Sequence, residues 1–223
     1  MKQDEISKLK DKVKFLPWVG ESYENGISYN ENGELMYGTE NSGKKILVLG
    51  ESHYCANAKD AKDNNLTQKI ITDFIDDNNA FEPYKNTLTK FSRAMTGNAE
   101  DARSTLWNSI AFYNYIQEAM SNPRESPSNK SYDESSEAFF AILDILQPDY
   151  VIAWGIRLYN YLPPKGKQGK DIDVDDEYSL ETWVYTNSSN KEIPVLGIYH
   201  PSAGFAWSYW HNIIVNFIRD YHG

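Results

Sequence analysis

The sequence contains a single cysteine, Cys55, among its 223 residues. One cysteine cannot form an intrachain disulfide, and it excludes metal or iron–sulfur sites built from several thiolates. A chain without disulfides suits a reducing compartment, so we expect a cytoplasmic protein. The sequence also lacks an apolar run of about 18 residues and a signal-peptide pattern at its charged N-terminus, so no membrane association is expected.

Basic residues are few compared with acidic ones. The chain has 22 Lys and Arg against 32 Asp and Glu, which gives a net charge of −10. This excludes a protein-wide basic surface, the usual basis of tight non-specific nucleic-acid binding, but not a local basic groove. Aromatic residues, in contrast, make up 14% of the chain. We expect most of them in the core, although such rings also stack on flat ligands.

Short apolar runs alternate with helical patterns along the chain. Runs that end in glycine, such as residues 45–49 and 150–154, are typical of strands buried on both faces of a parallel sheet. The stretch 109–116 is a further strand or the continuation of a helix. The pattern predicts an α/β fold, a three-layer α/β/α sandwich with a mainly parallel central sheet. Other strands are expected at 181–185 and 193–199, and helices at 66–77, 84–96 and along the apolar stripe between 210 and 221.

The chain is interpreted as one domain, 1–223, in which residues 1–44 form an N-terminal helix and hairpin extension. Residues 2–14 are charged and compatible with a helix, and the turn at 30–33 predicts the hairpin. Residues 121–133 are rich in Ser, Asn and Pro, which indicates a loop. Ser131 and Glu134 have the spacing of a capping box, so we expect the next helix to begin there.

Three polar segments follow predicted strands. Ligands of open parallel sheets bind beyond the carboxyl ends of the strands, so these segments are expected to converge on one site. The first segment is Gly50-Glu51-Ser52-His53-Tyr54, the second contains Asn114, and the third is His200-Pro201-Ser202.

These segments resemble motifs of the uracil-DNA glycosylase superfamily over roughly residues 45–220. Residues 50–54 take the place of the family motif Gly-Gln-Asp-Pro-Tyr, and residues 200–202 match its His-Pro-Ser motif without a gap. The family also has an asparagine at the end of an apolar strand, which Asn114 matches. The resemblance implies a uracil-DNA glycosylase-like fold and hydrolysis of the N-glycosidic bond of a deaminated or damaged base.

The resemblance also implies a role for each matching residue. The target base is extruded into a pocket, where Asn114 reads its edge and His200 stabilises the negative charge on the departing base. Tyr54 is expected to form a pocket wall, and the backbone around Gly50 and Ser202 to approach the base or a phosphate. Ser52 and His53 belong to the same base-binding segment. Phe205 and Trp207 are candidates for an apolar wedge into DNA, or they pack the loop against the last helix.

The sequence departs from the family pattern at its usual catalytic aspartate, which aligns with Ser52. The adjacent Glu51 is therefore the candidate catalytic carboxylate, while His53 replaces the family's proline. Some branches of the superfamily have Gly-Glu at this point, but they carry a four-cysteine iron–sulfur cluster that this chain cannot hold. An alternative is therefore a non-catalytic relative that binds a nucleobase or nucleic acid.

A second alternative is a serine hydrolase that uses Ser52 and His200. Residues 50–54 partly match the nucleophile-elbow pattern Gly-x-Ser-x-Gly, although Tyr54 replaces the second glycine. The histidines lack metal-ligand spacing with acidic or sulfur partners, so neither a metal nor an organic cofactor is expected. DNA and a free nucleobase are the expected partners.

Overall fold

The computed structural model describes residues 6, 8–55, 57, 59–76, 82–99, 103–122, 125–174, 177–202 and 204–221. Within these residues the chain forms an α/β fold around a seven-stranded mixed sheet. The strands are β1 (Trp18–Val19), β2 (Ile27–Tyr29), β3 (Leu35–Tyr37), β4 (Ile46–Gly50), β5 (Ala111–Asn114), β6 (Tyr150–Trp154), β7 (Lys167–Gln168), β8 (Ile172–Asp173), β9 (Ser179–Leu180), β10 (Thr182–Thr186) and β11 (Glu192–Ile198).

The order of strands in the sheet is β1-β5-β4-β6-β11-β10-β7. The four middle strands are parallel, because β4 pairs in parallel with β5 and β6, and β6 with β11. Every residue of β4 and β6 is buried, as expected for apolar strands covered on both faces. The outer strands β1, β10 and β7 pair with their neighbours in antiparallel orientation. The sheet is therefore parallel at its centre, as expected, and antiparallel at its edges.

Helices cover both faces of this sheet. The α-helices are α1 (Leu66–Asp76), α2 (Pro83–Thr96), α3 (Arg103–Trp107), α4 (Asn129–Leu146), α5 (Ile156–Tyr161) and α6 (Trp207–Asp220). One core contains side chains of α1, α2, α3 and α6. The other core, on the opposite face, contains side chains of α4 and α5. Helices α1, α2 and α6 and strands β4, β6, β10 and β11 lie close to their expected positions, whereas the short edge strands β1 and β7 were not expected.

Two boundaries predicted from the sequence are wrong. Helix α4 begins at Asn129 rather than near Ser131, and the predicted loop therefore ends earlier. Ser128 has an extended backbone, and its side chain accepts a hydrogen bond from the Ser131 backbone N–H at 3.1 Å. Ser131 is thus the donor at the third helical position instead of the cap. The ambiguous stretch 109–116 contains strand β5, because its backbone pairs with β4.

The N-terminal region is joined closely to the rest of the fold. Strands β2 and β3 form the expected hairpin. Strand β1 adds to the central sheet by antiparallel pairing with β5. Residues 2–5 and 7 of the helix predicted at 2–14 lie outside the described residues, and residues 8–12 form hydrogen-bonded turns instead of a continuous helix. Among the described residues, no helix combines the length and apolar character needed to cross a bilayer.

Candidate functional site

The carboxyl ends of β4, β5, β6 and β11 lie side by side at one edge of the sheet. After β4 the chain turns to helices on one face, whereas after β6 it turns to α5 on the opposite face. The point between these two strand ends is therefore a topological switch point, the position at which open α/β sheets bind ligands. All three polar segments identified in the sequence begin at this edge.

Glu51 follows β4 and is held by residues from two other elements. Its side chain is 10% exposed and forms a bidentate ion pair with Arg157 of α5. The Nε–Oε1 distance of this pair is 2.8 Å. The Tyr132 hydroxyl of α4 donates a second hydrogen bond to Oε1, and Arg157 Nη1 donates to Ser126 Oγ at 2.6 Å. This network fixes the carboxylate at the switch point.

Tyrosine rings surround the Glu51 network. Tyr132 stacks on Tyr161 with ring centroids 4.5 Å apart and an interplanar angle of 15°. Desolvation and the hydrogen bond to Glu51 raise the pKa of Tyr132, so its hydroxyl stays protonated and remains a donor. Tyr161 is 45% exposed, and Tyr54 is 43% exposed. Tyr54 is therefore accessible at the surface, and its role as a pocket wall stays a prediction.

His200 is oriented by the turn that follows β11. The backbone N–H of Ser202 donates to the His200 carbonyl at 2.7 Å, and Ser202 Oγ lies 3.0 Å from His200 Nδ1. The His200 ring also packs edge-on against Trp154, with centroids 6.2 Å apart. If the Ser202 hydroxyl donates to Nδ1, then Nε2 carries the proton of the neutral ring.

His200 and Glu51 are electrostatically coupled. Desolvation lowers the pKa of His200, the negative charge of Glu51 raises it, and Arg157 lowers it again. The net effect is a pKa below the usual value, which favours neutral imidazole at neutral pH. The His200 ring, although exposed, thus interacts electrostatically with the Glu51 carboxylate.

Asn114 and His53 form a buried pair beside this site. Asn114 is 6% exposed and His53 is 3% exposed. Asn114 Nδ2 lies 3.1 Å from His53 Nδ1, and His53 Nε2 lies 2.8 Å from Thr67 Oγ1. His53 therefore contacts Asn114 and α1, and its place in the base-binding segment stays a prediction.

Gly50 permits the close approach of β5 to β4. A Cβ atom at this position would lie 2.2 Å from Asn114 Oδ1, which is far inside contact distance. Glycine is therefore required for the Asn114 amide to rest over the end of β4. Ser202, in contrast, is exposed, and its carbonyl accepts a hydrogen bond from Lys90 of α2.

The predicted DNA wedge is not supported at either candidate residue. Phe205 is 7% exposed and stacks on Trp210, with centroids 6.0 Å apart and an interplanar angle of 4°. Trp207 is the first residue of α6 and packs against the core. Phe205 thus holds the loop against the last helix, and inserting either ring into DNA requires it to leave its packing.

The arrangement of Ser52 does not support a serine hydrolase. Its hydroxyl is buried and has no hydrogen-bond partner among the described residues. His200 Nδ1 is engaged with Ser202, and both ring nitrogens of His53 are close to Asn114 or Thr67. An activated serine requires a hydrogen-bonded base, and none of the described residues supplies one.

The sequence analysis did not identify Arg157, Tyr132 or Thr67. Arg157 is a single charged residue in the first turn after β6. Its position close to a strand end is the signal from which the sequence could have identified it as a site residue. Tyr132 and Thr67 lie within helices whose direction relative to the sheet the sequence does not determine. Their contacts with the strand ends depend on tertiary packing.

In comparisons with known proteins, no family model matches the sequence, and no curated protein matches it. Within the part of the chain that the structure describes, no three His, Cys, Asp or Glu side chains group as metal ligands.

Proposed function

We propose that this chain is a divergent uracil-DNA glycosylase-like protein, in fold and in chemistry, that hydrolyses the N-glycosidic bond of a deaminated or damaged base. The observation that carries the proposal is the coupling of a fixed Glu51 carboxylate and a neutral His200 at the ends of parallel strands. The order of the three segments along the chain and their strand-end positions also support it.

In this proposal His200 assists departure of the base. The C1′–N bond breaks, and its electron pair leaves with the base. Negative charge then develops on a base oxygen, where a neutral Nε2–H group is a suitable donor. The Ser202 contact orients the ring for this task, and the lowered pKa of His200 favours its neutral form.

Glu51 acts on the sugar side of the bond. The sugar becomes cationic as the base leaves, and a fixed carboxylate stabilises this charge or orients the attacking water. The water oxygen bonds to C1′ and its released proton passes to solvent, while the departed base anion takes up a proton, so the products are the abasic sugar and the neutral base. Arg157 and Tyr132 hold Glu51 in place, but they also use three of its hydrogen-bonding positions.

This use of Glu51 favours a second candidate, a relative that binds a nucleobase without cleaving its bond. A carboxylate paired with a guanidinium has less net negative charge to offer a cationic sugar. Burial of Asn114 also limits contact with a base in this conformation. Binding of a nucleobase without release from any oligonucleotide distinguishes this candidate.

Release of a base from labelled oligonucleotides tests the proposal. Single- and double-stranded substrates carry uracil, hypoxanthine or xanthine, and alkali reveals the abasic sites. We expect release by the wild-type protein and a rate about 10²-fold lower for Glu51→Gln and for His200→Ala. Glu137→Gln, on the exposed surface of α4, is the matched carboxylate control and should retain the full rate.

Absence of release from every substrate by the folded wild-type protein contradicts the glycosylase proposal. Release that persists unchanged in both site variants contradicts the assigned site. Circular dichroism of each variant verifies that it remains folded.

A further inference from the structure

Exposed aromatic rings lie next to both residues of the candidate site. Tyr161 of α5 is exposed, and Tyr199, the residue before His200, is 58% exposed. Tyr161 is linked to Glu51 through one side chain, because it stacks on Tyr132, whose hydroxyl donates to Glu51. One exposed ring therefore lies on the Glu51 side of the site and another on the His200 side.

Both rings are supported on one side by another aromatic residue. Tyr132 covers one face of Tyr161, since the two ring planes are only 15° apart and their centroids 4.5 Å. The exposed part of the Tyr161 ring is therefore the opposite face and the edge. Tyr199 packs against Trp210, with centroids 5.2 Å apart and an interplanar angle of 57°. Rings supported in this way lose little side-chain entropy when they stack on a flat ligand.

A nucleic acid bound at this site gains little from its phosphates. The chain has a net charge of −10. Arg157 is already paired with Glu51, and Lys90 donates to the Ser202 carbonyl. Stacking of bases on aromatic rings is the other main source of affinity for a single strand, and it tolerates any base sequence. The exposed tyrosines can supply this contribution.

The packing of the loop after His200 favours a single strand over a duplex. Extruding a base from a duplex costs unstacking energy, and minor-groove binding proteins use inserted apolar side chains to unstack the bases. Of the two wedge candidates, Phe205 stacks on Trp210 and Trp207 packs against the core. A single strand needs no wedge, and the faces of its bases are accessible to a tyrosine ring.

We propose that Tyr161 and Tyr199 stack on the bases that flank the target base, one ring on each side, and that the substrate is therefore a single-stranded nucleic acid. This inference rests on the proposed function and names its substrate class. A strand whose target base lies between Glu51 and His200 continues in both directions from the site. Its neighbouring bases are thus the groups that reach the two rings.

Binding of matched oligonucleotides tests the proposal without base release. Each single strand contains one uracil whose sugar carries fluorine on its 2′ carbon, which disfavours the cationic sugar and prevents cleavage. One oligonucleotide lacks the base 5′ to the uracil and another lacks the base 3′ to it, while every phosphate remains. Fluorescence anisotropy gives the affinities of the wild type, Tyr161→Ala and Tyr199→Ala.

We expect removal of either neighbouring base to weaken wild-type binding about 10-fold. Each alanine variant should lose this sensitivity on one flank only, and the two variants on opposite flanks. Tyr161→Phe and Tyr199→Phe retain the ring and should behave as the wild type. Tyr178→Ala, at an exposed tyrosine between β8 and β9, is the control and should also do so. The same uracil in a duplex should bind more weakly.

Wild-type affinity that does not depend on the neighbouring bases overturns the inference. Duplex binding as tight as that of the single strand, or alanine variants that keep the wild-type sensitivity or lose it on the same flank, also overturn it. A dimer in sedimentation that Tyr199→Ala dissociates assigns this ring to a second copy of the chain, with the same consequence.

Failure of the two proposals is distinguishable. Flank-dependent binding without release from unfluorinated oligonucleotides contradicts only glycosylase activity. Release without flank-dependent binding contradicts only the role of the two tyrosines.

Discussion

Glu51 illustrates how a single residue depends on its neighbours. Its carboxylate is fixed by Arg157 and Tyr132. Two parallel N–H donors from one guanidinium restrain both carboxylate oxygens, which a single ammonium group cannot do. We therefore expect Arg157 to act by positioning Glu51.

Replacing Arg157 tests this assignment. Arg157→Met should lower kcat about 10-fold or more with little change in KM, because Glu51 loses its fixed orientation while the base-binding groups remain. Arg157→Lys should restore only part of the rate. Arg219→Met, on α6, is the control, because Arg219 pairs with its exposed neighbour Asp220. A normal kcat for Arg157→Met contradicts the positioning role.

His53 should make stability depend on pH. Its folded-state pKa is about 3, against an ordinary value of 6.5, so the unfolded chain takes up the proton first as the pH falls. The contribution of neutral, buried His53 to the free energy of unfolding is complete above pH 6.5. As the pH falls towards the folded-state pKa, this contribution decreases by about 1.4 kcal/mol per pH unit. Urea unfolding between neutral and acid pH should be less pH-dependent in His53→Gln. If the free energy of unfolding changes equally with pH in the wild type and in His53→Gln, this result contradicts the neutral, buried state of His53.

At the scale of elements, the start of α4 supports the Glu51 network. Ser128 caps the helix, Ser126 just before it binds Arg157, and Tyr132 in the first turns donates to Glu51. The helix start thus brings two groups to the end of β4. A change in the cap affects both helix stability and the geometry of the site.

The two candidate cap residues can be compared directly. Ser128→Ala should reduce the free energy of unfolding by about 1 kcal/mol, since it removes the acceptor for the Ser131 N–H. Ser131→Ala should cost less, because alanine suits a helical position. Urea unfolding measures both changes. A larger loss for Ser131→Ala contradicts the observed start of α4.

The sequence predicted elements well where a hydrophobic pattern is continuous. The buried strands β4 and β6 and the amphipathic helix α6 follow directly from such patterns. The cap of α4 was misassigned because several serines occur together, and only backbone conformation distinguishes them. The strand-end residues of the site were identified from their position after apolar runs.

Partners of those strand-end residues were harder to predict. Arg157 and Thr67 reach the site from helices on opposite faces of the sheet. Local patterns do not determine which helical side chain meets which strand end. The buried state of His53 and the stacking of Phe205 on Trp210 likewise depend on tertiary packing.

At the scale of the whole molecule, the net charge of −10 opposes association with a polyanion. Near the strand ends, two cationic side chains take part in the contacts described above. Arg157 is paired with Glu51, and Lys90 donates a hydrogen bond to the Ser202 carbonyl. Few phosphate contacts are therefore expected. Recognition should depend mainly on the base and on the exposed tyrosines.

The salt dependence of oligonucleotide binding measures the number of phosphate contacts directly. Each phosphate contact with single-stranded DNA contributes a slope of about −0.7 to log K against log salt concentration. We expect a slope no steeper than about −2 for a uracil oligonucleotide, measured by fluorescence anisotropy. Lys90→Ala should make it shallower. A slope of about −5 or steeper indicates a basic surface and contradicts this expectation.

The central claim is that Glu51 and His200 act together as one site at adjacent strand ends. A double-mutant cycle on single-turnover base release tests it most directly, with Glu51→Gln, His200→Ala and both changes combined. We predict that each single variant loses about 10²-fold and that the double variant is little slower than the slower single one. Losses that multiply, or a single variant with the wild-type rate, contradict a shared site.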